Sequence, residues 1–118
     1  MPSKAVVKIV HQYLREVERA GIPVFAGVLY GSQARGDARK DSDIDLLVVS
    51  ARVKPRRPAH DVQLLWQLRG LVDYRIEPLL VGMRRWEQDD GSPLLATIRK
   101  EGCLIPPQRT VPLRRRRS

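Results

Sequence analysis

Two aspartates, Asp43 and Asp45, stand one residue apart at the head of an apolar run, Ile44 to Val49. Upstream, Gly31-Ser32 closes a first apolar run, and ten residues, Gln33 to Ser42, separate it from Asp43. In a strand side chains alternate, so Asp43 and Asp45 share one face and Ile44 takes the other. Two strand residues that far apart place their Cα atoms about 6.5–7 Å apart, which lets both carboxylates grip one hard cation or flank two. Two ionised carboxylates in a half-buried site repel each other and need compensation, which a divalent cation supplies. Aspartate is a poor strand former, and such a conflict with local propensity tends to mark a functional site. At Gly31-Ser32, where a strand passes into a short helix, backbone N–H groups can face an anion. Glycine permits close approach there, the Ser32 hydroxyl can donate to a phosphate oxygen, and Arg35 adds positive charge one turn later. Taken singly, Gly-Ser is commonly a turn, Asp-x-Asp a solvated loop or helix cap, and Arg35 a surface arginine. In this order and spacing they describe a site for a metal-bound nucleoside triphosphate.

The elements that must position these residues are legible around them. Lys4 to Ala20 carries Val6, Val7, Val10, Leu14 and Val17 at helical spacing, with Ser3 as N-cap and Gly21 then Pro23 as the stop. Val24 to Tyr30 is predicted as a buried strand, followed by a short helix from Ser32 and the turn-rich "GDARKDS". Ile44 to Val49, apolar on both faces, reads as a central strand. A basic, proline-broken loop leads to an amphipathic helix over Ala59 to Val72, with Leu64, Leu65, Leu68 and Leu71 on its face and Trp66 assigned to the core. Arg75 to Val81 is a third strand, placed at an edge or bulge by Pro78. Ser92 caps a last helix begun by Pro93 and ended by Gly102, and Cys103 to Ile105 can add a short strand. The order predicts an α/β (α+β) domain, a small mixed sheet of three to four strands covered by helices.

The chain has 118 residues, enough for one domain with a core. We expect residues 1–105 to form it and residues 106–118, rich in proline and arginine, to be a basic tail that does not fold. The net charge of +9 includes Arg109 and Arg114 to Arg117; without them 17 basic residues face 13 acidic ones, so the remainder is only mildly basic. No apolar stretch approaches the ~18 residues that span a bilayer. No secretory signal is visible, and the lone Cys103 makes neither an internal disulfide nor a zinc site, which together lead us to expect a cytoplasmic setting. His11 and His60 show no ligand spacing, and Trp86 fits core or interface.

Residues 29–49, with "GSQARGDARKDSDIDLLVV", resemble the nucleotidyltransferase superfamily typified by DNA polymerase beta, and within it the minimal nucleotidyltransferase (MNT) branch. That branch's signature is Gly-Ser, ten residues, then Asp-x-Asp. The resemblance implies a palm-like fold, transfer of a nucleoside monophosphate with ATP as the default donor, and Mg²⁺ held by Asp43, Asp45 and a third carboxylate on the neighbouring strand. Asp73 and Glu77 are both candidates for the third. Glu77, an acid amid strand residues, is preferred; Asp73 lies where a cap or turn role is natural, and a glutamate in place of the usual aspartate reaches one methylene further toward the metals. With three carboxylates, two Mg²⁺ ions can sit about 3.5–4 Å apart and support in-line attack on the α-phosphate with release of pyrophosphate.

Stand-alone members of this branch resemble the antitoxin of HEPN/MNT toxin–antitoxin pairs, in which AMP is transferred to a tyrosine of the HEPN partner. The resemblance therefore implies a HEPN-type partner, or a homo-oligomer. The Arg-rich tail can also grip RNA through its phosphates. The alternative to an enzyme is a non-catalytic RNA- or protein-binding module on the same fold, working through that tail. The loop Arg52 to Pro58 should leave the end of the sheet opposite the aspartates, which keeps Lys54, Arg56 and Arg57 away from the reacting phosphate.

Overall fold

The computed structural model describes residues 1–88 and 91–108. The tail predicted from Pro106 onward therefore lies, from Arg109, outside the described residues.

Helix α1 (Lys4–Arg19) starts where the Ser3 hydroxyl accepts from the Val6 N–H at 3.2 Å. It ends at Gly21, whose φ of 103° turns the chain into strand β1 (Val24–Tyr30). A four-residue helix, α2 (Ser32–Arg35), follows, then β2 (Ile44–Ser50). Helix α3 (Pro58–Leu68) runs into a 3₁₀ turn over Arg69–Leu71 and on to β3 (Ile76–Gly82). Helices α4 (Met83–Glu87) and α5 (Pro93–Glu101) precede the short β4 (Cys103–Ile105). The sheet order is β3-β2-β1-β4, with β2 and β3 parallel and the other pairs antiparallel. This is the mixed α/β sheet expected from the sequence. β2 is central, and β3, with its Pro78, is an edge strand.

Each face of the sheet has its own core. On one, Leu29, Leu46, Val48 and Ile76 meet Val10, Leu14 and Val17 of α1 and Leu65 of α3. Tyr13 joins the two helices by donating to the Leu65 carbonyl at 2.6 Å. Gly27, inside β1, leaves room for Leu14: an added Cβ would lie 3.2 Å from the Leu14 Cδ1. On the other face Val28, Leu47, Val49 and Val81 meet Leu95 and Ile98 of α5, with Tyr30, Met83 and Trp86 at the margin. Burial of these aliphatic side chains, at about 1.5–3 kcal/mol each, is the main favourable term holding the layers together.

Three expectations are corrected. The second helix does not run regularly to Val72; it ends at Leu68 and tightens into the 3₁₀ turn at Gly70, a poor helix former. Leu71 is consequently exposed rather than on the apolar face. Trp66 is not a core residue: it is 40% exposed, with the Arg69 guanidinium stacked 4.5 Å from its ring centroid. Helix α4 is an addition to the expected elements; it follows β3 with no intervening turn residue to announce it.

Candidate active site

Sheet register assembles the site. Tyr30 on β1 pairs with Asp45 on β2, and Asp45 pairs with Glu77 on β3. Residues paired across neighbouring strands share a face, so Tyr30, Asp45 and Glu77 form one row at one end of the sheet. Asp43 stands just before β2, and its carboxyl hydrogen-bonds that of Glu77. The mutual crowding is visible in the acids themselves. Burial, then the Asp43 charge, pushes the Asp45 carboxyl up, with Arg35 partly opposing. Burial, then Asp43 and Asp45, pushes Glu77 up. Burial, then Asp45 and Glu77, does the same to the Tyr30 phenol.

Gly31 is required twice over. Its φ of 74° and ψ of −153° belong to a region almost reserved for glycine. Its missing side chain also leaves the space that the Asp45 carboxylate fills, since a Cβ there would run into Asp45 Oδ2. Ser32 opens α2, and its carbonyl accepts from the N–H groups of Gly36 at 3.0 Å and Asp37 at 3.1 Å. Arg35 is paired with Asp37 at 3.2 Å, yet remains close enough to act on Asp45.

Asp73 and Glu77 are separated by their partners. Asp73 is engaged by Arg75: Oδ1 accepts from its backbone N–H at 2.9 Å and Oδ2 from Nη2 at 2.9 Å. The side-chain hydrogen bond from Arg75 holds the Asp73 carboxyl below its ordinary range. The structure thus brings Glu77, and not Asp73, to the aspartate pair.

The segment leading into Asp43 is held by residues that the motif alone does not single out. Buried Gln33 donates from Nε2 to the Ser42 carbonyl at 3.3 Å. The Ser42 hydroxyl accepts from the Arg39 N–H at 2.7 Å. Arg75 donates from Nη1 to the Lys40 carbonyl at 3.0 Å, while its own carbonyl accepts from the Ile44 N–H at 2.8 Å. Arg75 therefore fastens the loop that carries Asp43 to the start of the strand that carries Glu77. Gln33 lies inside the Gly-Ser…Asp-x-Asp spacing, and its position there is its only signal. Arg75 has none, since its contacts join segments distant in sequence. The basic loop after β2 lies at the far end of the sheet, where the Met83 N–H donates to the Arg52 carbonyl at 2.9 Å.

Among the described residues no three His, Cys, Asp or Glu side chains are arranged to hold a metal ion as they stand. The donor set nonetheless has the chemistry of a hard-cation site: Asp45 and Glu77 stand on adjoining register positions, and the Asp43 carboxyl hydrogen-bonds that of Glu77. A cation held there would relieve the repulsion among the three carboxylates.

A family model described as "Nucleotidyltransferase domain" matches residues 10–107. No curated protein matches the sequence. Among solved structures, the chain is similar to a protein from Sulfolobus solfataricus assigned as a nucleotidyltransferase. That match has 20% identity and a TM-score of 0.56, covering 85% of this chain and 78% of that one. It is also similar to a toxin–antitoxin protein crystallised with AMP-PNP, with 20% identity and a TM-score of 0.51, covering 84% and 74% of the two chains. At these identities the structural likeness speaks for the fold. Because the family model spans most of its length, with Gly31-Ser32 and Asp43-x-Asp45 inside the match, the chain belongs to the nucleotidyltransferase-domain family.

Proposed function

We propose that the chain transfers AMP from ATP to a hydroxyl group on a partner protein, with Asp43, Asp45 and Glu77 as the catalytic carboxylates. The observation that carries this reading is the Asp45 carboxylate, fitted against Gly31 on one side and in register with Glu77 on the other. Asp43, Asp45 and Glu77 would hold Mg²⁺, two ions in the fullest case, which neutralises the triphosphate and activates the attacking oxygen. The Gly31 and Ser32 backbone, the Ser32 hydroxyl and Arg35 receive phosphate oxygens. A carboxylate of the cluster takes the proton from the acceptor hydroxyl as its oxygen bonds to the α-phosphorus. The bond from that phosphorus to the oxygen bridging to the β-phosphate then breaks, and pyrophosphate leaves. Positioning and charge stabilisation account for most of the rate.

The acceptor in this reading is a tyrosine of a HEPN-type protein encoded beside this chain. Its support is the resemblance to the minimal branch and the fold shared with a toxin–antitoxin protein. The test is co-expression with the neighbouring gene product and intact-mass measurement of that partner. A mass increase of one AMP, absent with Asp43→Ala, is the expected result. An unmodified partner, with Mg·ATP still bound by the chain, would move the search to other acceptors. Failure to bind Mg·ATP at all would favour the non-catalytic binding module.

A further inference from the structure

Helix α1 presents two faces of opposite character. Val6, Val10, Tyr13, Leu14 and Val17 are buried against the sheet. Lys4, Lys8, His11 and Arg15 recur at helical spacing along another side. They line a groove of 440 Å³ together with Gln108, the last described residue before the Arg-rich segment of the sequence. From Lys4 to Arg15 the row extends about 16 Å at the helical rise.

At the start of α1 the N-terminal residues pass from this groove to a second recess, of 330 Å³, lined by Arg39, Lys40 and Arg75. That recess borders the loop between Ser32 and Asp43. Among the described residues no Asp or Glu lines either cavity. Arg75 is neutralised by Asp73. The side chains of Lys4, Lys8, Arg15, Arg39 and Lys40 take part in no ion pair among the described residues. Three cations in the groove and two in the recess beside it, with no acid among the described lining residues, create a potential that attracts a polyanion.

We propose that this track binds the phosphate backbone of a nucleic acid and guides it along α1 toward the loop beside Asp43. The chemistry favours a backbone over an acidic protein. The apolar lining is scattered, Pro2 and Val7 in the groove and Met1, Ala5, Val6 and Ala38 in the recess, and among the described residues it includes no Phe, Tyr, Trp, Leu or Ile to anchor a protein interface. Among the described residues no Phe, Tyr or Trp lines either cavity, so the contacts offered are chiefly to the phosphate backbone, which carries no sequence information. The site is independent of the catalytic carboxylates, and its occupation requires no metal.

Fluorescence anisotropy of the full chain, without divalent metal, with labelled duplex RNA or duplex DNA as probes, tests this directly. Neutralising four or five phosphates gives a log–log salt slope of about −4, so affinity should fall roughly 10²–10³-fold between 50 and 200 mM salt. Combining Lys4→Gln, Lys8→Gln and Arg15→Gln, which keeps good helix formers, should weaken binding at least 30-fold and flatten the slope by about 3. Replacing Arg114 to Arg117 by serine should weaken it less than 10-fold. Tighter binding of one duplex identifies the source of the phosphates. The proposal is overturned if the glutamine variant, folded by circular dichroism, binds as the wild type does. It is equally overturned if the serine variant alone abolishes binding, or if neither duplex binds at 50 mM salt while an acidic polypeptide does.

Discussion

The Asp45 carboxylate occupies the space next to Gly31 where a side chain on residue 31 would have to stand. The Gly31 turn and the Asp45 carboxylate are thus packed against each other, and neither can be altered alone. Gly31→Ala would meet two penalties, an unfavourable φ of 74° and displacement of Asp45. We expect a loss of about 2–4 kcal/mol in stability, within the range for a strained backbone plus overpacking. Urea denaturation measures it, and nucleotide affinity should fall in the same variant even well below its melting temperature.

Crowding of carboxylates makes the site a source of instability in the metal-free chain. The Asp45 carboxyl is raised, so the unfolded state ionises first, and folding is disfavoured as pH rises through the carboxylate range. Asp45→Asn should therefore melt higher than the wild type at pH 7 without divalent metal. An effect on the order of 0.5 kcal/mol, allowing for solvent screening, corresponds to about 1–4 °C. The advantage should vanish below about pH 4, where the wild-type acid is protonated too. Adding Mg·ATP should stabilise only the wild type, by about 2.7 kcal/mol at a hundred times the dissociation constant. Differential scanning calorimetry across pH provides all three comparisons.

Much of this site is legible in the amino-acid sequence, and the reason is local. Gly31, Ser32, Asp43 and Asp45 lie at the ends of two consecutive strands, and short apolar runs mark those strands plainly. Glu77 is legible because an acid inside a strand needs a partner. What stays hidden depends on contacts between distant segments. Arg75 acts through the Lys40 carbonyl, and nothing in "YRIEPLLV" signals that. Trp66 misleads because an indole on an amphipathic helix reads as apolar, whereas Arg69, three residues on, covers its ring at the surface.

The two candidate third carboxylates make opposite predictions. Glu77→Gln should reduce turnover by at least about 10²-fold, as loss of a charge-stabilising group does, with the fold intact. Asp73→Asn should keep measurable turnover and instead loosen Arg75. Asp73 has a lowered carboxyl, so its contribution is present at neutral pH and lost as pH falls through the carboxylate range. The asparagine variant should show a reduced melting temperature at pH 7 and no difference near pH 2–3. Steady-state kinetics beside thermal melts would separate the two roles.

Trp66→Ala tests the corrected placement. A core tryptophan would cost about 3–5 kcal/mol when truncated. At 40% exposure with a stacked arginine, Trp66 should cost about 1–2 kcal/mol, most of it the packing shared with Arg69. Chemical denaturation distinguishes these ranges readily.

Nucleotidyl transfer by the carboxylate row is the central proposal for this chain. The most direct measurement uses ATP labelled at the α-phosphate, Mg²⁺, and the purified chain with any co-encoded or co-purifying protein, comparing wild type with the Asp43→Ala/Asp45→Ala double variant on a denaturing gel. Label on that protein with the wild type and none with the double variant is the expected result. Equal labelling with both proteins would contradict it, as would release of no pyrophosphate from any nucleoside triphosphate by the wild type.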